Sequence, residues 1–256
     1  EQLMIGYNFL HMSTHGSPDV FAMESGEGYS GTWALNVHNE PYYTNVLTIA
    51  CSTVGFDESE PCLAEGFLRN PHGGAVTYIG GSREGWDVGG SSHGPSFEYD
   101  RMFYKFLFTE NPANAPYHVG AAHAKMKEYW VGQCGYEGSM RWVQFSLNLM
   151  GDPELPLYTQ NPATFHATYA ASIQAGTRTV TVGTGVANAA VCISRKDAGI
   201  YVVGNADALG QFAATVAQST PGTMSITITA PNHYPHEGTI AVASGSAGTV
   251  AIEEAQ

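Results

Sequence analysis

Two short apolar runs, each leading to a chemically reactive side chain, constrain this chain more than any other feature. The first run, residues 9–12 (FLHM), leads to His15 and Gly16, and the second, residues 46–50 (VLTIA), leads directly to Cys51. Short apolar runs bounded by turn residues are typical of buried parallel strands. Because ligands bind beyond the carboxyl ends of parallel strands, the imidazole and the thiol are expected to face one crevice.

This pairing predicts nucleophilic catalysis by a thiol. A thiol is mostly protonated at neutral pH, and a neighbouring imidazole converts it to the reactive thiolate. His15 is then the general base and later the general acid, and Cys51 is the nucleophile. The backbone N–H groups of Gly16 and Cys51 are the predicted donors to the oxyanion. The alternative is that Cys51 is a small buried hydrophobe and His15 a loop histidine, because free cysteines are usually buried.

Further motifs follow these two in the chain. They are an HG pair (15–16), an AC pair (50–51), PCLAE (61–65), a strand that leads to a tryptophan (74–86) and GDP (151–153). In this order and at this spacing the motifs resemble the gingipain family of cysteine peptidases, within the caspase-like clan. The resemblance covers about the first 158 residues and, more loosely, the rest. Carried over position by position, it makes His15 and Cys51 the catalytic dyad.

The resemblance also implies a fold. Residues 1–158 are expected to be the C-terminal part of a caspase-like α/β catalytic domain, a mostly parallel sheet flanked by helices. In the family, further strands of this sheet precede the histidine strand, and they are missing from this chain. We therefore expect an N-terminal companion chain or segment that completes the domain. The family's acidic partner for the histidine also comes from that upstream segment, and Asp19 is only a weak candidate to replace it.

The loop after the third predicted strand, residues 75–79, carries Trp86 and Asp87. A carboxylate beside an aromatic ring suits a cationic side chain, which pairs with the carboxylate and packs its stem on the ring. The resemblance implies the same preference, since gingipains cut after Arg or Lys. The net charge of −13 also favours the approach of basic peptides. If Asp87 instead faces water, the pocket prefers small or apolar residues.

The rest of the first 158 residues predicts helices and turns. Residues 16–45 lack periodicity and predict a long connection. A helix is expected from a Ser59 N-cap to Asn70. The remaining elements are predicted as helices over 95–109, 116–132 and 139–150 and a short closing strand over 155–158.

Beyond residue 158 the helical patterns stop, and short alternating segments appear between turn signals. They are residues 179–182, 190–194, 199–203, 211–216, 224–229 and 239–242. Strands at about this spacing are typical of a β-sandwich. Because the gingipain family follows its catalytic domain with an immunoglobulin-like domain, residues 159–256 are expected to form an all-β immunoglobulin-like sandwich.

Composition excludes several functions. Charged residues make up only 13% of the chain and Lys and Arg do not cluster, so nucleic acid is not an expected partner. No apolar run is long enough to span a membrane. High Gly, Thr, Tyr and Ala with little Lys is typical of a secreted or cell-surface bacterial protein.

The cysteines and histidines provide no second pair of ligands at metal-site spacing. The predicted chemistry requires no cofactor. Structural calcium occurs in the resembling family, although no calcium loop is matched here residue by residue. Two functions remain at this stage: a cysteine endopeptidase, and a binding or scaffolding protein that keeps the peptidase fold without activity.

Overall fold

The computed structural model describes residues 7–23, 26, 28–58, 61–108 and 118–244. The chain divides into two compact units, residues 1–159 and 160–256. Among the described residues, no helix is both long and apolar enough to cross a membrane.

The first unit combines a central sheet with helices. Its elements are β1 (Phe9–Met12), β2 (His15–Ser17), β3 (Val20–Ala22), β4 (Gly28–Ser30), α1 (Gly31–Ala34), β5 (Thr44–Thr48), α2 (Leu63–Leu68), β6 (Ala75–Gly81), α3 (Pro95–Phe108), α4 (Val119–Cys134), α5 (Gly138–Ser146) and β7 (Leu147–Gly151).

The central sheet has the order β1-β5-β6-β7, in which β1, β5 and β6 are parallel and β7 is antiparallel to β6. Alternate residues of β5 and β6 face different helices. Leu47 packs with α3, α4 and α5, whereas Val46 packs with α1 and α2. Helical layers on both faces explain why β5 is buried along its whole length. The expected mostly parallel α/β sheet is therefore present.

The predicted helix over 139–150 is wrong in its last third. The helix ends at Ser146, and residues 147–151 pair with β6 from Leu147 opposite Gly81 to Gly151 opposite Thr77. The unpaired side of β6 needs hydrogen-bond partners, and this tertiary demand overrides a sequence that suits a helix equally well. The predicted strand over 155–158 is also absent, apart from one isolated bridge between His118 and Pro156.

The expected long connection over 16–45 is wrong, because three short strands and helix α1 lie within it. Strands β2, β3 and β4 form a three-stranded antiparallel sheet, with Gly16 opposite Phe21. Phe21 is almost fully buried in the core on the α2 side of the central sheet. Strands of three residues are too short to give a clear periodic signal, so only packing reveals them.

Helix α2 begins later than predicted. Its N-cap is Cys62, and the Glu65 carboxylate accepts a hydrogen bond from the Cys62 backbone N–H at 3.0 Å. This bond from the Glu65 side chain back to the cap residue explains the PCLAE motif as a helix start. Ser59, the predicted cap, lies outside the described residues. Helices α3 and α4 occupy the predicted segments, except that residues 109, 116 and 117 also lie outside the described residues.

The second unit contains strands and one short 3₁₀ helix among its described residues. The strands are β8 (Thr168–Tyr169), β9 (Ser172–Gln174), β10 (Gly176–Gly183), β11 (Ala190–Arg195), β12 (Ile200–Asn205), β13 (Gln211–Gln218), β14 (Gly222–Thr229) and β15 (His236–Ala243).

These strands form two sheets, ordered β13-β10-β8 and β12-β11-β14-β15-β9, whose side chains share one apolar core. The unit is therefore a β-sandwich. All six predicted strands are present with shifted ends, while β8 and β9 were too short to recognise in the sequence. Its assignment as an immunoglobulin-like domain stays a prediction.

Candidate active site

A cleft of about 830 Å³ opens at the carboxyl ends of the three parallel strands. The four residues whose side chains the sequence assigns to catalysis or substrate binding, His15, Cys51, Trp86 and Asp87, all line it. The other lining residues are His11, Met12, Ser13, Thr14, Met23, Ile49, Gly85, Ser96 and Phe97.

Cys51 lies in a tight turn just after β5. Ser52 is buried and adopts a left-handed conformation with φ of 58°, which is unusual for a residue other than glycine. The turn is bonded to the loop after β6, because the N–H of Ser52 donates to the Arg83 carbonyl at 3.0 Å and the N–H of Val54 to the Gly81 carbonyl at 2.9 Å. Strain of this kind persists only where the surroundings enforce it.

The Cys51 sulfur is half-buried and accepts a hydrogen bond from the Gly85 backbone N–H at 3.3 Å. Among the described residues, Cys51 is the only cysteine that lines the cleft. Cys62, by contrast, is fully buried, and burial raises the pKa of its thiol, which makes it less reactive.

Gly16 lies directly against the Cys51 turn. A Cβ atom on Gly16 would lie 2.8 Å from the Cys51 carbonyl oxygen and 2.9 Å from the Ala50 Cβ, so only glycine fits here without displacement. The HG motif thus has a steric reason, since it places the histidine strand in contact with the cysteine turn. Among the described residues Gly16 does not line the cleft, and the oxyanion roles of the Gly16 and Cys51 amides stay predictions.

His15 is exposed at the start of β2, with its side chain at the cleft. No described residue makes a hydrogen bond to its ring. Asp19, the weak candidate for its acidic partner, instead accepts a hydrogen bond from the Ser17 hydroxyl at 3.0 Å. Within the part of the chain that the structure describes, no carboxylate therefore orients the His15 imidazole.

A second histidine in the cleft, His11, was missed by the sequence analysis. Its Nε2 atom lies 2.9 Å from the Asp100 carboxylate, and the hydrogen bond to Asp100 raises the pKa of His11. Tyr104 packs edge-on against the same ring. His11, Ser13 and His15 are exposed and alternate with less exposed residues, so they lie on one side of the chain. The same two-residue spacing in the sequence could have indicated that His11 lies beside His15.

Trp86 and Asp87 are exposed in the loop that follows β6. The Trp86 N–H donates to the Ser96 hydroxyl at 2.9 Å. Gly94 contacts the Asp87 backbone so closely that a Cβ there would overlap it. The start of α3 thus fixes the path of the loop and places both side chains at the cleft.

The described residues contain no group of three or more His, Cys, Asp or Glu side chains arranged to hold a metal ion. The expected structural calcium was not tied to any particular residue, and it stays a prediction.

Three solved structures resemble almost the whole chain. The first is gingipain R (RgpB), described as an Arg-specific cysteine proteinase, with a TM-score of 0.71 and 19% identity over 94% of this chain and 54% of that one. A complex of the Porphyromonas gingivalis RgpB pro- and mature domains gives 0.70 and 18%, over 94% and 55%. A structure described as a protease gives 0.63 and 22%, again over 94% and 55%.

The chain therefore has a gingipain-like fold and spans about half the length of these structures. Curated protein sequences provide no significant match. The model of Peptidase family C25, in contrast, matches residues 1–158, which is more than half of the chain and includes every element of the cleft. From this match and the gingipain-like fold, we conclude that the chain belongs to peptidase family C25, the gingipain family of cysteine peptidases.

Proposed function

We propose that this protein is a cysteine endopeptidase that uses Cys51 and His15. The observation that carries the proposal is the cleft itself: Cys51 and His15 both line it, and the Gly85 backbone N–H is donated to the Cys51 sulfur. Family membership supports the same activity.

In the proposed reaction, His15 takes the thiol proton and the Cys51 sulfur attacks the carbonyl carbon of the scissile peptide bond. The C–N bond breaks as the His15 imidazolium returns its proton to the leaving amine, and a thioester acyl-enzyme remains. Water then attacks the thioester with His15 as base, which releases the carboxylic acid and restores the thiol. The amides of Gly16 and Cys51 are the proposed donors to the oxyanion in both halves.

We propose further that the cleft accepts Arg or Lys before the scissile bond. Trp86 is half-exposed and adjoins Asp87 at the cleft, so a ring and a carboxylate are both accessible to a cationic side chain. The structurally similar RgpB is described as Arg-specific, which supports this choice. A library of peptide substrates tests it: Asp87→Asn should remove the preference without changing the rate of Cys51 alkylation.

A companion segment beside β1 is the next part of the proposal. In the described part of the chain, β1 is the last strand of its sheet, and its apolar residues Phe9, Leu10 and Met12 are only partly buried. An apolar edge of this kind is expected to be covered. If the 256-residue chain alone is monomeric and residues 7–14 are fully protected from hydrogen exchange, the companion is not needed.

The second candidate is a binding or scaffolding protein with little or no activity. It is favoured by one observation, the absence of a described carboxylate that bonds to His15. A third group raises the rate of a Cys–His pair without being indispensable, so the peptidase remains our conclusion. A secreted or cell-surface location, structural calcium and an immunoglobulin-like second unit complete the proposal.

Fluorogenic peptides with Arg, Lys, Leu or Asp before the cleavage site test the peptidase. We expect hydrolysis by the wild type and its loss in Cys51→Ala and His15→Ala, while Cys134→Ala serves as the control. Limiting iodoacetamide should label Cys51 first, and His15→Ala should slow that labelling. A folded wild type without hydrolysis, or with equal labelling of its four thiols, would leave the scaffolding function.

A further inference from the structure

The first turn of α3 contacts the loop that carries the Gly85 amide. The Trp86 N–H donates to the Ser96 hydroxyl at 2.9 Å, and the Ser96 N–H donates to the Trp86 carbonyl at 2.9 Å. These two bonds form a reciprocal clamp between one loop residue and one helix residue. Ser96 is 5% exposed, so the clamp is shielded from competing water.

The clamp adjoins the atom that faces the sulfur. Gly85 precedes Trp86, and its N–H is the donor to the Cys51 sulfur. A Cβ on Gly85 would lie 3.0 Å from the Ile49 carbonyl oxygen and 3.1 Å from the Ser96 hydroxyl oxygen. Gly85 is therefore enclosed between the chain that leads to Cys51 and the Ser96 side chain, and the position of its amide depends on both.

From this geometry we infer that Ser96 is a positioning residue for the nucleophile: its hydroxyl holds the backbone of residues 85–86 so that the Gly85 N–H points at the Cys51 sulfur and the Trp86 ring stays at the cleft. Ser96 contacts neither the sulfur nor the scissile bond and acts through Gly85 and Trp86. The inference rests on the proposed function, because it assigns the residue a part in the same reaction.

The loop after β6 is also held by two other hydrogen bonds, which limit how far it moves when the Ser96 hydroxyl is removed. The Trp142 indole N–H donates to the Glu84 carbonyl at 2.9 Å, and the Ser52 N–H donates to the Arg83 carbonyl. Both bonds lie on the side of the loop that precedes Gly85. Loss of the Ser96 hydroxyl thus leaves residues 83–84 held and removes one of the two clamp bonds: the Trp86 N–H loses its acceptor, while the Ser96 N–H still donates to the Trp86 carbonyl.

The test compares Ser96→Ala and Ser96→Thr with Ser91→Ala. Ser91 is the matched control because its hydroxyl also accepts a backbone N–H, that of His93 at 3.1 Å, on an exposed loop outside the cleft lining. Ser96→Ala should slow both iodoacetamide labelling of Cys51 and peptide hydrolysis about tenfold, with kcat affected more than KM. Ser96→Thr, which keeps the hydroxyl, should restore most of the rate, and Ser91→Ala should match the wild type.

Hydrogen exchange supplies a readout that needs no catalysis. Amides 85 and 86 should exchange about tenfold faster in Ser96→Ala than in the wild type or in Ser91→Ala. Unchanged exchange and unchanged labelling in a folded Ser96→Ala protein overturn the inference. A Ser96→Thr variant that folds but is labelled as slowly as Ser96→Ala also overturns it. If Ser96→Thr does not fold, hydrogen exchange at amides 85 and 86 of Ser96→Ala decides the question. A wild type that is labelled at Cys51 but hydrolyses no peptide contradicts the proposed function and leaves this inference standing.

Discussion

The two units of this chain build their cores in different ways. Among the described residues, ten of the buried polar ones lie in the first unit and two in the second. Those of the first unit are Asn39, Thr44, Asn45, Thr48, Ser52, Thr53, Asn70, Thr77, Ser96 and Ser146, and those of the second are Thr184 and Gln218. The sandwich core instead consists of alternating aliphatic side chains from its two sheets.

The difference reflects what each unit has to hold in place. Many of the polar residues of the first unit bond to the backbone of a turn or loop, as Asn39 does to Gly74 and Ser96 to Trp86. Apolar packing is non-directional, whereas a hydrogen bond fixes a direction, so loops that must present side chains at a cleft need the latter. A β-sandwich whose strands are joined by short turns can be stable with an apolar core built from alternating apolar and polar residues along its strands.

The largest expected effect comes from one glycine in each unit. Gly16→Ala forces the histidine strand away from the Cys51 carbonyl, and we expect kcat/KM to fall at least about 100-fold because small displacements of reacting groups are costly. Gly238→Ala would overlap the Tyr169 hydroxyl in the second unit, lowering the free energy of unfolding by about 1–3 kcal/mol without affecting the rate. Peptide hydrolysis and urea unfolding measure the two quantities. If Gly16→Ala and Gly238→Ala lost equal activity, the proposed difference between the two units would be wrong.

His123 provides the next largest effect, on acid stability. Burial and, to a lesser extent, the charge of Lys127 lower the pKa of His123 to about 4, while its Nε2–H donates to the Leu147 carbonyl. The unfolded chain binds this proton below about pH 6.5 and the folded chain only near pH 4, so folding loses about 3 kcal/mol over that interval. His123→Gln should therefore show a weaker loss of stability between pH 6.5 and 4 in urea titrations. A variant with the acid slope of the wild type would contradict this assignment.

Two buried tyrosines of the first unit test how much buried hydrogen bonds contribute to its stability. The Tyr99 hydroxyl donates to Gln144 at 2.7 Å and contacts the Met140 carbonyl at 3.1 Å, so Tyr99→Phe should cost about 1–2 kcal/mol. The Tyr78 hydroxyl is buried near the Thr53 hydroxyl, but among the described residues neither group makes a hydrogen bond of ordinary geometry. Tyr78→Phe should therefore change the unfolding free energy by less than about 0.5 kcal/mol or raise it. Chemical denaturation of the two variants side by side decides this, and a larger loss for Tyr78→Phe would show that its hydroxyl is bonded after all.

The smallest effect concerns the His11–Asp100 pair at the cleft. Because its hydrogen bond to Asp100 raises the pKa of His11, the pair stabilises the fold fully below about pH 6.5, and this stabilisation is lost as the pH rises through the raised value. The imidazole is 38% exposed, so solvent screening limits the effect to a few tenths of a kcal/mol. Asp100→Asn should flatten the corresponding decline in unfolding midpoint as the pH rises above about 6.5. An unchanged decline would exclude the pair as its source.

In the first unit, the sequence predicted those strands of the central sheet that coincide with a continuous apolar run. Strands β1, β5 and β6 were predicted from such runs, and the reactive side chains after them line one cleft. Strand β7 was not predicted, because Leu147–Gly151 becomes a strand only by pairing with β6. The hairpin strands β2–β4 were missed for a related reason, since each is too short for periodicity and depends on the burial of Phe21.

The sequence by itself determined that a thiol and an imidazole follow parallel strands, that a tryptophan and a carboxylate follow a third, and that a β-rich region begins near residue 159. These features can be read locally, because an apolar run predicts a buried strand and the residues at the end of that strand are the next ones in the sequence. Only the tertiary structure decided that the Asp100 carboxylate bonds to His11, that the Gly85 amide faces the Cys51 sulfur, and that the Ser96 hydroxyl accepts the neighbouring Trp86 N–H. The Gly85–Cys51 contact joins residues 34 positions apart, and even over the ten positions from Trp86 to Ser96 no local pattern specifies the direction of a hydrogen bond.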